Sequence, residues 1–248
     1  HGEFTRLVIA PGDPEESFRA GADAMNLAWK YQIPVIVLLD KHVSENSMTS
    51  ALDPGKITVE KGKVLDVADN TYKRYAMAGD GVSPMAFPGT ANAVIKCTSY
   101  EHDEYGIATE EIPATKAMQE KRFMKSATLR GEFKNFETIK VYGDPESKNV
   151  VVFWGSVKAP ILEAAKHFKS PVKLLQILWL EPFDAESVSK QLSGAEKIVG
   201  VENNHDAQLA GLIREKTGIH IQKTILRYDS APFDLLELAG EINKLISQ

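Results

Sequence analysis

Arg6-Leu7-Val8-Ile9-Ala10 is a short apolar run stopped by Pro11-Gly12, after which the pattern turns helical. Asp13 suits an N-cap, Pro14 the first helical position, and Glu15 and Glu16 put acids where the helix dipole favours them. Phe18, Ala22, Met25 and Ala28 recur at helical spacing, and Pro34-Val35-Ile36-Val37-Leu38-Leu39 is almost continuously apolar. This predicts a βαβ unit. A strand apolar on both faces belongs inside a parallel sheet covered by helices, where ligands gather at strand C-terminal ends.

From about Ser44 to Tyr142 the pattern weakens, broken by Asp53-Pro54-Gly55, Gly79-Asp80-Gly81 and Phe87-Pro88-Gly89. The stretch is too long for a plain connection in a compact domain, so it must be held by packing, and it contains a helix predicted over Ala114 to Arg130. Gly143-Asp144-Pro145-Glu146-Ser147 reads as a linker. Beyond it the alternation is regular: strands at Val150 to Phe153, Val172 to Leu178 and Ile198 to Glu202, and helices at Ala159 to Phe168, Ala185 to Leu192 and Ala207 to Lys216. Leu235 to Ile246 closes the chain as a helix. The expectation is an α/β protein whose last hundred or so residues form a doubly wound domain.

At 248 residues, 43% hydrophobic and 25% charged, the composition is that of a packed protein, and two domains is the better starting count. A net charge of −5 with no Lys/Arg block gives no electrostatic reason to bind nucleic acid. No apolar run approaches the roughly 20 residues of a membrane helix, so no membrane partner is expected. Cys97 is the only cysteine, which excludes an intrachain disulfide and is too few for an iron-sulfur cluster, usually held by about four thiolates. A reducing cytoplasm fits. The chain starts at His1-Gly2-Glu3-Phe4 with neither Met nor a signal pattern, and reads as a processed or shortened chain or as part of something longer.

The densest run of reactive side chains is Ser99-Tyr100-Glu101-His102-Asp103-Glu104-Tyr105-Gly106. Consecutive residues point apart on an extended chain, so these four polar groups do not converge on one ion unaided, and no metal is assigned. An exposed acidic loop and a loop presenting one or two groups to an active site both stay open. Glu202-Asn203-Asn204-His205-Asp206 lies between a strand and a helix, where Asn203, Asn204 and Asp206 suit capping better than chemistry. Trp154-Gly155-Ser156 could receive an anion, but GxGxxG, a P-loop lysine, G-x-S-x-G, HExxH and paired cysteines are all missing. His167, His205 and His220 are read as surface or satisfied core residues.

Six stretches resemble one family, in order along the chain: HGEFTRLVIAPGDPEESF (His1 to Phe18), YQIPVIVLLD (Tyr31 to Asp40), DGVSPMAFPGT (Asp80 to Thr90), EHDEYG (Glu101 to Gly106), WGSVKAPILEA (Trp154 to Ala164) and VENNHDAQLAGLIREKTG (Val201 to Gly218). Together they look like the alpha subunit of 2-oxoacid:ferredoxin oxidoreductases, which act on pyruvate, 2-oxoglutarate and related acids. The resemblance implies a remnant of a thiamine-diphosphate pyrimidine-binding domain over residues 1–142, with a long irregular extension, then a transketolase C-terminal-like doubly wound domain over residues 143–248.

It also implies oxidative decarboxylation of a 2-oxoacid to acyl-CoA with electrons passed to ferredoxin. Thiamine diphosphate and Mg would be held with a beta subunit that also carries the iron-sulfur cluster, and none would be bound by this chain alone. Asp103 and His102 become the candidate catalytic or interface residues, with no cofactor-binding or metal residue assigned. The family's Tyr-Pro-Ile-Thr-Pro and Gln-Gly-Asp stretches are absent, so the chain is expected to be the C-terminal part of a subunit, inactive alone, with exposed apolar edges. Ser99-Tyr100 stand where the family tends to have Gly-Asp, which alters the approach to the loop. Two alternatives remain: a non-catalytic α/β assembly or small-anion-binding module, and the beta chain of a 2-oxoacid dehydrogenase, which the Ala10 to Glu16 and Glu101 to Gly106 stretches disfavour.

Overall fold

The computed structural model describes residues 3–248. Along the chain it runs β1 (Leu7–Ile9), α1 (Pro14–Tyr31), β2 (Val35–Val37), α2 (Lys41–Ser44), α3 (Ile112–Arg130), β3 (Ile139–Gly143), β4 (Asn149–Trp154), α4 (Lys158–Ala164), β5 (Lys173–Ile177), β6 (Trp179–Glu181), α5 (Ala185–Leu192), β7 (Lys197–Glu202), α6 (Gln208–Thr217), β8 (Lys223–Leu226) and α7 (Leu235–Ser247). α1 starts as the pattern requires, since the Glu16 N–H donates to Asp13 Oδ1 at 2.8 Å. Two compact units result. The first holds the residues up to Leu7, Ala22–Val35 and Gly55–Lys134, and the second Val8–Gly21, Ile36–Pro54 and Asn135–Gln248.

The second unit is built on a five-stranded sheet of order β3-β5-β4-β7-β8, parallel except for β3, which runs antiparallel to β5. Successive β4 residues point to opposite faces. Val151 and Phe153 meet Ile161 and Ala164 of α4 and Leu238 and Ile242 of α7, while Val150 and Val152 meet Val188 and Leu192 of α5 and Leu209 and Ile213 of α6. Both faces are therefore covered; the Pro34 to Leu39 run, read as a strand buried on both faces, instead leaves Ile36, Leu38 and Leu39 exposed. From β4 the chain crosses through α4 toward β5, whereas from β7 it crosses through α6 to β8 on the other side. The strand order thus reverses between β4 and β7. The stretch read as a linker instead ends β3 and turns into β4, with the Ser147 N–H donating to Asp144 O at 3.2 Å, because Asp-Pro marks any chain reversal.

Beside this sheet the start of α1 is held by a buried ionic network. The Lys158 ammonium donates to Asp13 and, at 2.6 Å, to Glu16, which also accepts from Lys140 at 3.1 Å, Gln176 Nε2 at 2.8 Å and the Gly12 N–H at 2.8 Å. Burial raises the Asp13 and Glu16 carboxyls, but these donors outweigh it and hold both below the usual range. Burial opposes the Lys158 charge too, yet its two carboxylates push the amine above the ordinary lysine value.

In the first unit the long irregular stretch is pinned to the later turns of α1 and to α3. Asn26 takes the Glu60 N–H at 2.9 Å and donates to Thr58 O at 2.6 Å, and Gln32 Nε2 donates to Ser83 O at 2.7 Å. Lys125 of α3 donates to Gln32 O at 2.9 Å, and Ala68, Val82, Ala86, Met118 and Leu129 are buried. Bridges pair Val64 with Met85 and Val67 with Ala91. A segment without regular structure is ordered here by side chains that cap its backbone groups.

Candidate functional site

The Glu101 to Gly106 run folds as a tight loop of the first unit. His102 bridges Ala108, the Asp103 N–H donates to Ile107 O at 2.9 Å, and the Gly106 N–H closes a turn on Asp103 O at 3.0 Å. Gly106 sits at φ +81°, and a Cβ there would lie 2.2 Å from Lys96 O, so only glycine lets the loop close.

Two of its acids are structural staples. Glu101 faces Arg122 of α3 through both guanidinium nitrogens and takes a further bond from Gln119 Nε2 at 3.2 Å. Burial pushes the Glu101 carboxyl up, but Arg122 and the His102 N–H bring it below the usual range. Glu104 is lowered chiefly by Lys73, which donates at 2.8 Å, and by the Met77 N–H at 2.9 Å. His102 is fixed rather than mobile: its Nδ1 lies 2.9 Å from Asp103 O, and its ring stands 3.9 Å from that of Tyr75. The Tyr75 hydroxyl donates to Cys97 Sγ at 3.4 Å, and burial first, then Cys97, push that phenol up to about 12.

Asp103 differs from its neighbours. Its carboxylate accepts only the backbone N–H groups of Tyr105 at 2.9 Å and Ile107 at 3.0 Å, and no salt bridge reaches it among the described residues. The loop therefore fixes one half-exposed anion in place with no cation in salt-bridge contact among the described residues. Of the residues singled out in the sequence, the structure brings Asp103 and His102 together on this loop. Sequence reasoning missed Arg122, Lys73 and Tyr75, which hold it.

Beneath the loop lie two cations that sequence reasoning also missed. Lys121 is buried with its ammonium on Tyr75 O at 2.9 Å, and burial, then Arg74, lower it to about 8. Lys125 is lowered to about 8 by burial and then by Lys121 itself. Neither has a carboxylate within salt-bridge distance among the described residues.

In the second unit the segment after β7 is a cap, as expected, with Asn204 in that role but Glu202 joining it and Asp206 taking no part. Glu202, fully buried, accepts the α6 N–H groups of Leu209 at 2.8 Å and Ala210 at 3.0 Å, and Asn204 Oδ1 accepts that of Gln208 at 3.2 Å. Asp206 does not cap the helix and instead pairs with His205 at 2.6 Å on the exposed surface. The Ser156 N–H, considered for an anion, faces Asp40 Oδ2 at 3.3 Å. Among the described residues no group of three or more His, Cys, Asp or Glu side chains gathers to hold a metal ion, and no helix is long and apolar enough to cross a membrane.

Residues 2–121 match the family described as pyruvate flavodoxin/ferredoxin oxidoreductase, thiamine diP-bdg. The chain is 36% identical over 99% of its length to 2-oxoacid:ferredoxin oxidoreductase 1, subunit alpha, of Sulfurisphaera tokodaii, and covers 39% of that protein. It is 38% identical along its whole length to the 2-oxoacid:ferredoxin oxidoreductase subunit alpha of Saccharolobus solfataricus, covering 40% of it. The chain thus spans about two fifths of the length of the curated relatives it matches. Among solved structures it superposes with a TM-score of 0.86 at 28% identity on the 2-oxoglutarate:ferredoxin oxidoreductase from Magnetococcus marinus with 2-oxoglutarate, coenzyme A and succinyl-CoA bound, over 97% of this chain and 42% of that one. Along nearly its whole length the chain is similar to part of the 2-oxoacid:ferredoxin oxidoreductase alpha subunits.

Proposed function

We propose that this chain serves as part of the alpha subunit of a thiamine-diphosphate-dependent 2-oxoacid:ferredoxin oxidoreductase, which converts a 2-oxoacid and coenzyme A to acyl-CoA with electrons leaving to ferredoxin. The observation that carries this reading is identity of 36% to 38% with such subunits along 99% to 100% of the chain. The domain boundary that goes with it lies near residues 142 and 143, and the compartment is the cytoplasm. The described residues do not fit a magnesium or iron-sulfur site, because no three ligating side chains gather and Cys97 is the only thiol. Those groups are therefore assigned to the beta subunit. When bound, thiamine diphosphate supplies the electron sink for decarboxylation.

The part of this chain in the reaction falls to the Glu101 to Gly106 loop. Glu101 and Glu104 are neutralised by Arg122 and Lys73, so the one uncompensated anion that the loop presents is Asp103. We assign it to a Lys or Arg of the beta subunit at the entry to the substrate, with His102 fixing the loop beside it. The beta subunit and ferredoxin are the protein partners in this reading, and nucleic acid and membrane have no part in it. Copurifying the full-length subunit with its beta partner and assaying several 2-oxoacids with coenzyme A and an electron acceptor tests it. Thiamine-dependent turnover of the complex is expected. A complex inert toward every 2-oxoacid, or turnover by the isolated chain, would refute it.

A further inference from the structure

The reversal of strand order between β4 and β7 marks a crevice that the oxidoreductase reading leaves without a role. In open α/β sheets ligands bind at such a switch point, outside the strand C-terminal ends. Here Ser156 follows β4 and Asn203 follows β7, and Asn203 Nδ2 donates to Ser156 Oγ at 2.9 Å across the gap. A cavity of about 560 Å³ opens at this point, lined by residues of the second unit alone, among them Ser156, Asn203, Pro160, Pro232 and Phe233. That volume falls within the range of small-molecule sites, roughly 300 to 1,000 Å³.

Its floor is built backbone against backbone. A Cβ on Gly12 would lie 2.7 Å from Gly155 O and 2.8 Å from Lys158 Cβ, so only glycine fits, and the Asp13–Lys158–Glu16 network fixes the wall above. Ser156 is only 7% exposed, and its hydroxyl donates to no acceptor among the described residues. The hydroxyl accepts from Asn203 and keeps its own hydrogen for an oxygen of a ligand in the cavity.

The charges around the cavity decide what kind of oxygen that is. The Asp13 carboxylate is taken by Lys158 and the Glu16 N–H, and Lys158 is saturated by Asp13 and Glu16. Glu45 pairs with Lys41 at 3.6 Å on the exposed rim, and Asp40 accepts the Val43 and Ser156 N–H groups. His42 also lines the cavity, but among the described residues no buried lysine or arginine there is left over for an anion, and an anion stripped of water without a firm partner is strongly disfavoured. We infer that this crevice binds an uncharged, hydroxyl-bearing molecule of nucleoside size. Its oxygens meet the Ser156 hydroxyl and the Asn203 amide, and its flat apolar part lies against Pro160, Pro232 and Phe233.

Isothermal titration of the chain with adenosine and uridine tests this, with AMP as the charged counterpart. At least one nucleoside is expected to bind more tightly than about 1 mM, the affinity of a bare fragment. Ser156→Ala should weaken it about fivefold, the worth of one neutral hydrogen bond. Ala159 stands exposed on the lip of the cavity, so Ala159→Trp should abolish binding while circular dichroism stays that of the parent. Failure of both nucleosides, or unchanged affinity in a folded Ala159→Trp chain, overturns the site. AMP binding more tightly than adenosine overturns the uncharged class.

Discussion

Asp103 and Lys121 are two charged residues of the first unit with no salt-bridge partner among the described residues. In the intact complex Asp103→Asn keeps an oxygen for the Tyr105 and Ile107 N–H groups. It should therefore lower turnover about tenfold or more, the worth of a charged contact, and shift the melting temperature little. Steady-state kinetics beside a thermal melt would decide, and unchanged turnover would leave the loop with a structural role only. Lys121 and Lys125 give a pH signature. Unfolded, both amines titrate near 10.4, whereas folded they release their protons at about 8. Between those values the unfolded chain holds more protons, so these residues make stability rise as the pH climbs from about 8 toward 10. Tyr75, held at about 12, acts in the opposite direction above pH 10. Urea midpoints at about pH 7.5 and 9.5 should show the rise in the parent and a smaller one in Lys121→Met.

The elements that alternation announced are present, and those it missed have a common cause. α1, α5, α7 and the central strands β4, β5 and β7 repeat over enough residues for period and caps to be read, whereas β6 has three residues and β8 four. The run from Val172 to Leu178 reads as one strand, yet it ends at Ile177 and the chain passes straight into a second sheet. Leu178 leaves β5 with its N–H on Thr138 O, and Trp179 and Glu181 then pair with Ile9 and Val8 of β1. Nothing in the run marks the break, because both sheets want apolar residues. The site was legible in kind, as a dense polar loop, but not in its anchoring: Arg122 lies 21 residues from Glu101 and Lys73 lies 31 from Glu104. Asn203, Asn204 and Asp206 read as the caps for α6; Asn204 serves as one, while the main cap is Glu202, which also accepts from Trp154 Nε1 at 3.2 Å and Asn204 Nδ2 at 2.7 Å. Glu202→Ala would orphan four donors at once and should cost about 3 kcal/mol or more, read as a lower urea midpoint with unchanged slope.

As a whole the molecule carries 29 basic and 34 acidic side chains, and among the described residues only a few of them, Glu16, Lys121, Lys158, Asp184 and Glu202, are buried. Function at this scale was legible through order rather than through any one motif, since six ordinary stretches in sequence pointed to the same family while none held a complete site. The same division has a consequence for ionic strength. Pairs such as Lys148–Glu196 and Lys166–Glu163 stand in solvent, where about 1 M salt shrinks the screening length to roughly 3 Å. The Lys158–Asp13–Glu16 network is largely buried, so salt screens it far less. Melting in about 0.1 M and 1 M sodium chloride should give nearly the same midpoint for the second unit, so saline or dilute surroundings would hold the α1 start equally well.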